Sequence, residues 1–358
     1  MPNMDCNFAC PYCYEDHNHS KRMTAEVEQS IKTWLGEIID NNKVVLINWF
    51  GGEPLLSHKT ILSIGAFAQN RALNNGVSLL TNITTNGYAF TDSMIERFIN
   101  LGMYSYQITM DGPPEIHNKT RVLKNGKGSF DKILKNIITL TQSCAEVKVS
   151  LRVNYNHNNI SFIPDLLSEF PESIRSQLRI VYEPVFGNDE LSATKNMSSL
   201  EISESITKYY NLANSMGFDV VLGGLGIGKL VYCYAERENQ YIINYNGEVF
   251  KCSVTDFDSK KRVGFINKEG IFIKEQDKWD YWFDMDLFDE KCEKCTFLPL
   301  CMGGCRKDRI QNKSTGSYCN LVPTNTSQVL KSIAFGSFNE MLKTEVENSR
   351  ICAKTPQS

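Results

Sequence analysis

The chain of 358 residues carries almost no excess charge, with 38 Lys and Arg against 41 Asp and Glu and a formal net charge of −3 at pH 7. It has no basic block, so there is no electrostatic case for nucleic acid or an anionic membrane as principal partner. No apolar run approaches the ~18 residues needed to span a bilayer, and the N-terminus lacks the charged-then-apolar layout of a signal peptide. The expected location is the cytoplasm. A dinucleotide fold would need Gly-x-Gly-x-x-Gly directly after a strand. The one similar run, Gly223-Gly224-Leu225-Gly226-Ile227-Gly228, comes late and in another context, so it reads as a loop.

Hydrophobic residues make up 42% of the chain, which can fill a sizeable core in roughly two domains at ~150 residues each. There are twelve cysteines, and without an export signal they argue for metal sites in a reducing compartment and against a disulfide scaffold. They are clustered: Cys6, Cys10 and Cys13 near the start and Cys233, Cys252, Cys292, Cys295, Cys301, Cys305 and Cys319 late, with Cys144 and Cys352 apart and read as ordinary thiols. Three thiolates on one short loop suit a cubane iron-sulfur cluster that leaves one iron open to a small molecule. Taken alone, the triplet also permits zinc ligands or unpaired core cysteines. Met1 stands only five residues before Cys6, so the chain reads as a piece of a longer one.

From residue 24 to about 190, helical and strand-like segments alternate. Val27, Ile31, Trp34, Leu35 and Ile38 recur at helical spacing after a capping Thr24. Helices are expected over 61–73, 92–101, 130–140 and 160–170, and strands over 44–50, 78–85, 104–110, 147–153 and 178–182. Such alternation means a parallel sheet. The Gly, Asn, Asp and Thr residues gather at the strand C-termini, the face where a barrel assembles its site. Beyond a polar stretch at 188–196, a helix is expected over 200–216. Asn246-Gly247 between two strand-like runs predicts a hairpin that presents Cys252.

Cys6-x3-Cys10-x2-Cys13, with Tyr12 before the last cysteine, resembles the signature of the radical S-adenosylmethionine (SAM) enzymes. The strand ends extend the resemblance. Gly51-Gly52-Glu53-Pro54 is similar to the family's glycine-rich motif, whose backbone meets the SAM amino group. Thr84-Thr85-Asn86-Gly87 and Thr109-Met110-Asp111-Gly112 resemble the next two strand ends, with Thr109 supplying a hydroxyl near the methionyl group. Arg152 falls where related enzymes hold the SAM carboxylate, a task suited to a bidentate guanidinium. The loop from Pro113 through His117 and Arg121 to Phe130 resembles one in the peptide-modifying branch, where His117 is expected to be structural. The seven late cysteines match the spacing of a SPASM domain. That resemblance implies one complete 4Fe-4S cluster on Cys292, Cys295, Cys301 and Cys319, and another on Cys233, Cys252 and Cys305; position 239, where some relatives place a further cysteine, is Asn, which leaves an open iron on the second cluster as one of its alternatives.

The resemblance implies a partial (β/α)6 TIM-like barrel over 1–190, a linker and bridging helix over 191–230, a cysteine-rich SPASM domain over 231–325, and a C-terminal helix and tail over 326–358. It implies SAM and three 4Fe-4S clusters as cofactors, and a low-potential electron donor such as flavodoxin or ferredoxin. The expected substrate is a precursor peptide or protein, with no nucleic acid or membrane partner. The expected reaction starts from a 5'-deoxyadenosyl radical and ends most readily in a thioether from a cysteine sulfur. The alternatives are formylglycine formation, as in anaerobic sulfatase maturation, a carbon-carbon crosslink, or a non-catalytic iron-sulfur electron carrier. The formylglycine branch typically has Gln before Gly-Gly-Glu-Pro and Asp after the hairpin cysteine, where this chain has Phe50 and Ser253. No separate leader-recognition domain is visible in the sequence.

Overall fold

The computed structural model describes residues 1–13, 15, 21–185, 199–220, 233–283, 290–295, 298 and 305–311. Its larger sheet has six parallel strands in chain order: β1 Val44–Trp49, β2 Ser78–Thr85, β3 Ser105–Thr109, β4 Lys148–Tyr155, β5 Leu178–Pro184 and β6 Asp219–Val220. An unbroken order of this kind belongs to an opened barrel, since a doubly wound sheet reverses direction from a central strand. The helices are α1 Ala25–Asp40, α2 His58–Asn75, α3 Asp92–Asn100, α4 Pro114–Thr120, α5 Phe130–Ser143, α6 Ile163–Ser168 and α7 Ser199–Ser215.

Local chemistry sets these elements. Thr24 caps α1 by accepting the Val27 N–H at 3.3 Å, and Ile31, Trp34, Leu35 and Ile39 form its buried stripe. In β4, Val149, Leu151, Val153 and Tyr155 are buried, while Ser150, Arg152 and Asn154 alternate with them on a half-exposed inner face. The apolar run of β1 is not buried on both faces. Val44 and Leu46 are 59% and 52% exposed, because the inner face of an unclosed barrel is open.

The sequence reading sets its boundary at 190, whereas the parallel sheet continues to β6 at 219–220. Two residues are too few to show a period. α4 lies where a loop is expected. A second, antiparallel sheet holds β7 Ile242–Ile243, β8 Glu248–Phe250, β9 Gly264–Ile266 and β10 Phe272–Lys274, in the order β10-β9-β8-β7. The expected hairpin is β7–β8, turning at Gly247 with φ 84°. This sheet packs on α1, where Trp34 meets Tyr241 edge-on at 5.3 Å and Ser30 donates to the Lys268 carbonyl at 3.3 Å. Cys301, Cys319, Cys352, the run 223–228 and the helix expected after 326 lie outside the described residues. Among the described residues no helix is long and apolar enough to cross a membrane.

Candidate active site

The cysteine loop lies across the C-terminal ends of the parallel strands. The Glu53 N–H donates to the Asp5 carbonyl at 2.7 Å, and Asn3 Nδ2 donates to the Glu53 carbonyl at 3.0 Å. This close approach explains both glycines. A Cβ on Gly52 would stand 2.4 Å from the Asp5 carbonyl oxygen, and one on Gly51, at φ +135°, 2.4 Å from that of Asn3. Cys6 is buried, Cys10 half-buried and Cys13 exposed. Burial pushes the Cys6 thiol up to about 12 and raises Cys10 and Cys13 as well, so iron binding here would displace protons. Among the described residues no three His, Cys, Asp or Glu side chains are grouped to share one metal ion. A 4Fe-4S cluster asks instead that each thiolate bind its own iron, and three soft donors on one loop fit that demand.

Glu53 is fully buried and ties β1 to β2. Its Oε1 accepts from Thr85 Oγ1 at 2.6 Å and from the Leu55 N–H at 2.9 Å, and its Oε2 accepts from the Asn86 N–H at 2.7 Å. Burial raises its pKa against the pull of these three donors. Pro54 opens the short 3-10 turn that follows. Asn86 Nδ2 donates to Asn7 Oδ1 at 2.8 Å, which joins the β2 end to the cysteine loop.

A second knot lies at the ends of β3 and β4. Asp111, fully buried, accepts from the Tyr12 hydroxyl and, at 3.0 Å, from the Asn154 N–H. The Tyr12 hydroxyl in turn accepts from Arg121 Nη1 at 2.8 Å and Asn154 Nδ2 at 3.3 Å. Thr109 and Arg152 are register partners, and Arg152 Nε donates to Asn154 Oδ1 at 2.8 Å. Among the described residues its two terminal nitrogens make no hydrogen bond.

His117 is structural, as the sequence reading expects, and its tautomer is legible. Nδ1 accepts the Asp111 N–H at 3.3 Å. Ser129 Oγ donates to the Arg121 carbonyl at 2.7 Å, so it takes its other bond from His117 Nε2–H at 3.0 Å. Burial, and then the charge of Arg121, hold its pKa well below the ordinary value, and the ring stays neutral. Sequence reasoning missed Arg121 and Asn154 as members of the site. The only signals were the position of Arg121 at the end of the α4 segment and that of Asn154 two residues after Arg152, on the same strand face.

In the second half, burial raises the Cys233 thiol against the pull of the backbone at Ala235 and Arg306, and the neighbouring Cys252 adds to the rise. The Tyr234 hydroxyl lies 3.9 Å from Cys252 Sγ and 2.7 Å from Ser253 Oγ. Lys251, just before Cys252, is buried with its ammonium 4.5 Å from the centre of the Trp279 ring. Arg306 and Arg309 are buried against the single carboxylate of Glu236. The Cys295 N–H donates to the Cys292 carbonyl at 3.0 Å.

The model of the radical SAM superfamily matches residues 3–165. The serine-type anaerobic sulfatase-maturating enzyme of Bacteroides thetaiotaomicron is 23% identical over 349 residues, spanning 87% of this chain and 82% of that protein. The cysteine-type enzyme of Clostridium novyi is 23% identical over 346 residues, spanning 88% and 89%. Among solved structures, native anSMEcpe with bound AdoMet matches with a TM-score of 0.68 at 20% identity, over 96% of each chain. Streptococcus suis SuiB bound to precursor peptide SuiA matches with a TM-score of 0.58 at 17% identity, over 89% of this chain and 74% of that one. The barrel of strands, the loop of three thiols and these likenesses agree: residues 3–165 are a radical SAM domain, in an enzyme similar along most of its length to the anaerobic sulfatase-maturating enzymes.

Proposed function

We propose that this enzyme matures a ribosomally made peptide by linking a cysteine sulfur to a carbon through a thioether. A 4Fe-4S cluster on Cys6, Cys10 and Cys13 with SAM at its open iron would supply one-electron cleavage of SAM and hydrogen abstraction from the substrate. Around it, the Gly51-Gly52-Glu53-Pro54 backbone would meet the SAM amino group, Thr109 would stand near the methionyl group, and the unpaired terminal nitrogens of Arg152 would clamp the carboxylate. Glu53, Thr85, Asn86, Tyr12 and Asp111 hold those strand ends in place. Cys292, Cys295, Cys301 and Cys319 would carry one auxiliary cluster, and Cys233, Cys252 and Cys305 a second with an iron free for a substrate thiolate. A low-potential donor such as flavodoxin or ferredoxin would supply the electron.

The observation that carries the thioether reading is Ser253. Formylglycine-forming enzymes typically place an aspartate directly after the hairpin cysteine, whereas here the position holds a hydroxyl already bonded to Tyr234 at 2.7 Å. No carboxylate stands there to take up a proton. The second reading, formylglycine formation, is favoured by the likeness to both serine-type and cysteine-type sulfatase-maturating enzymes along most of the chain. The test is the mass of a cysteine-containing precursor peptide encoded beside this gene, after anaerobic incubation with enzyme, SAM and reductant and then thiol alkylation. A thioether removes two hydrogens and one alkylatable thiol. A loss of two hydrogens with every thiol still alkylated would exclude it and point to a carbon-carbon bond or serine oxidation.

A further inference from the structure

The segment from Pro113 to Phe130 contributes a buried cation to the cysteine loop. Arg121 is 8% exposed, and its guanidinium touches the loop on both sides of Cys10. Nη1 donates to the Tyr12 hydroxyl at 2.8 Å, and the guanidinium carbon lies 5.6 Å from the centre of the Phe8 ring. The Phe8 N–H donates to Cys6 Sγ at 3.4 Å, and the Ala9 N–H to the Val122 carbonyl at 2.9 Å, so this segment and the loop are locked together. Among the described residues the buried Arg121 Nε has no hydrogen-bond partner. The charge of Arg121 bears most on the thiol of Cys10, and less on those of Cys6 and Cys13. Arg121 and Asp111 form no direct ion pair; the Tyr12 hydroxyl stands between them. A buried N–H without an acceptor is costly. An anionic cluster on the three thiolates would supply one.

We propose that Arg121 is a positioning residue for the cluster of this loop: it clamps Phe8 and Tyr12 about Cys10, and its fixed charge and unpaired Nε–H, set beside the three cysteines, make that cluster easier to reduce. The inference rests on the reading that Cys6, Cys10 and Cys13 hold the cluster. Adding an electron makes the cluster more negative, so a nearby fixed cation and a hydrogen bond to sulfur favour the reduced form. The brace from Asp111 through His117 and Ser129 to the Arg121 carbonyl keeps the guanidinium in place.

The test is a redox titration of the full chain, anaerobically reconstituted with iron and sulfide, that follows the electron paramagnetic resonance signal altered by added SAM. Cys10→Ala must abolish that signal; if the wild-type chain shows no such signal, the underlying cluster reading fails, independently of Arg121. Arg121→Gln is expected to shift the reduction equilibrium of that signal at least tenfold against the reduced form, about 59 mV for one electron. Arg121→Lys, which keeps the charge and loses the fork, is expected to shift it by a smaller factor. Tyr12→Phe removes the clamped hydroxyl and keeps the charge, and is expected to move it less than threefold. Arg121→Gln with a full iron load and less than a threefold shift overturns the proposal. If Arg121→Gln loads no cluster in this loop, the Lys variant decides: a shift smaller than tenfold supports the proposal, and one of tenfold or more overturns it.

Discussion

Glu53 has no exposed surface, and three donors occupy both of its oxygens. Such a carboxylate works as a bracket between strand ends. Glu53→Gln turns one acceptor into a donor facing other donors, and the expected cost is about 1–3 kcal/mol of stability, read by denaturant unfolding. Gly52→Ala would press a methyl group into the Asp5 carbonyl. A loss of ~1–3 kcal/mol is expected, together with a lower iron content after reconstitution, because the loop bearing Cys6 must lift to make room. Arg152 differs from both, since among the described residues its terminal nitrogens make no hydrogen bond. Arg152→Gln is expected to leave the melting temperature unchanged and to weaken SAM binding by roughly tenfold or more, measured by equilibrium binding under anaerobic conditions. Unchanged affinity would remove Arg152 from the SAM site.

At the scale of elements, the strands and longer helices were legible because each pays its way in burial. α1 shows its stripe and cap in the sequence, and β2 was expected over the residues it occupies, 78–85. α4 was missed although Pro114 at its first position and Glu115 in its first turn are helix-start signals; seven residues give too little periodicity to weigh against two prolines. β9 and β10 have three residues each and offer no alternation to read. The knot of Tyr12, Asp111, Arg121 and Asn154 was invisible for another reason: its members are up to 142 positions apart, and only the parallel register brings them together. Two element contacts lend themselves to test. Asp40 of α1 is gripped by Arg71 of α2, which holds its carboxyl below the usual range. A depressed carboxyl stabilises the fold above its unfolded pKa, and the effect fades as the pH falls through the folded value. Asp40→Asn should therefore lower the melting temperature slightly at neutral pH, and the difference should vanish in acid. Trp34 sits between α1 and the antiparallel sheet, edge-on to Tyr241. Trp34→Ala is expected to cost about 3–5 kcal/mol and to make residues 241–283 more open to protease, seen by limited proteolysis.

Across the whole molecule, the parallel sheet presents its strand ends and half its inner face to one open side, and the cysteine loop lies over those ends. The inner positions Asn48, Asn82, Gln107, Arg152 and Asn154 give that face a polar lining. The antiparallel sheet holds Cys252 at the end of its hairpin and is anchored to α1, so Cys252 and the cysteine loop are fixed relative to the same core. The central claim is that the loop and the strand ends make one site that binds SAM and cleaves it. It is tested most directly by the amount of 5'-deoxyadenosine released from SAM by the reconstituted chain under dithionite without oxygen, beside the Cys10→Ala variant. Release by the wild-type chain and none above background from Cys10→Ala is the predicted result. Equal release from both, or none from a wild-type chain with a full complement of iron, would contradict it.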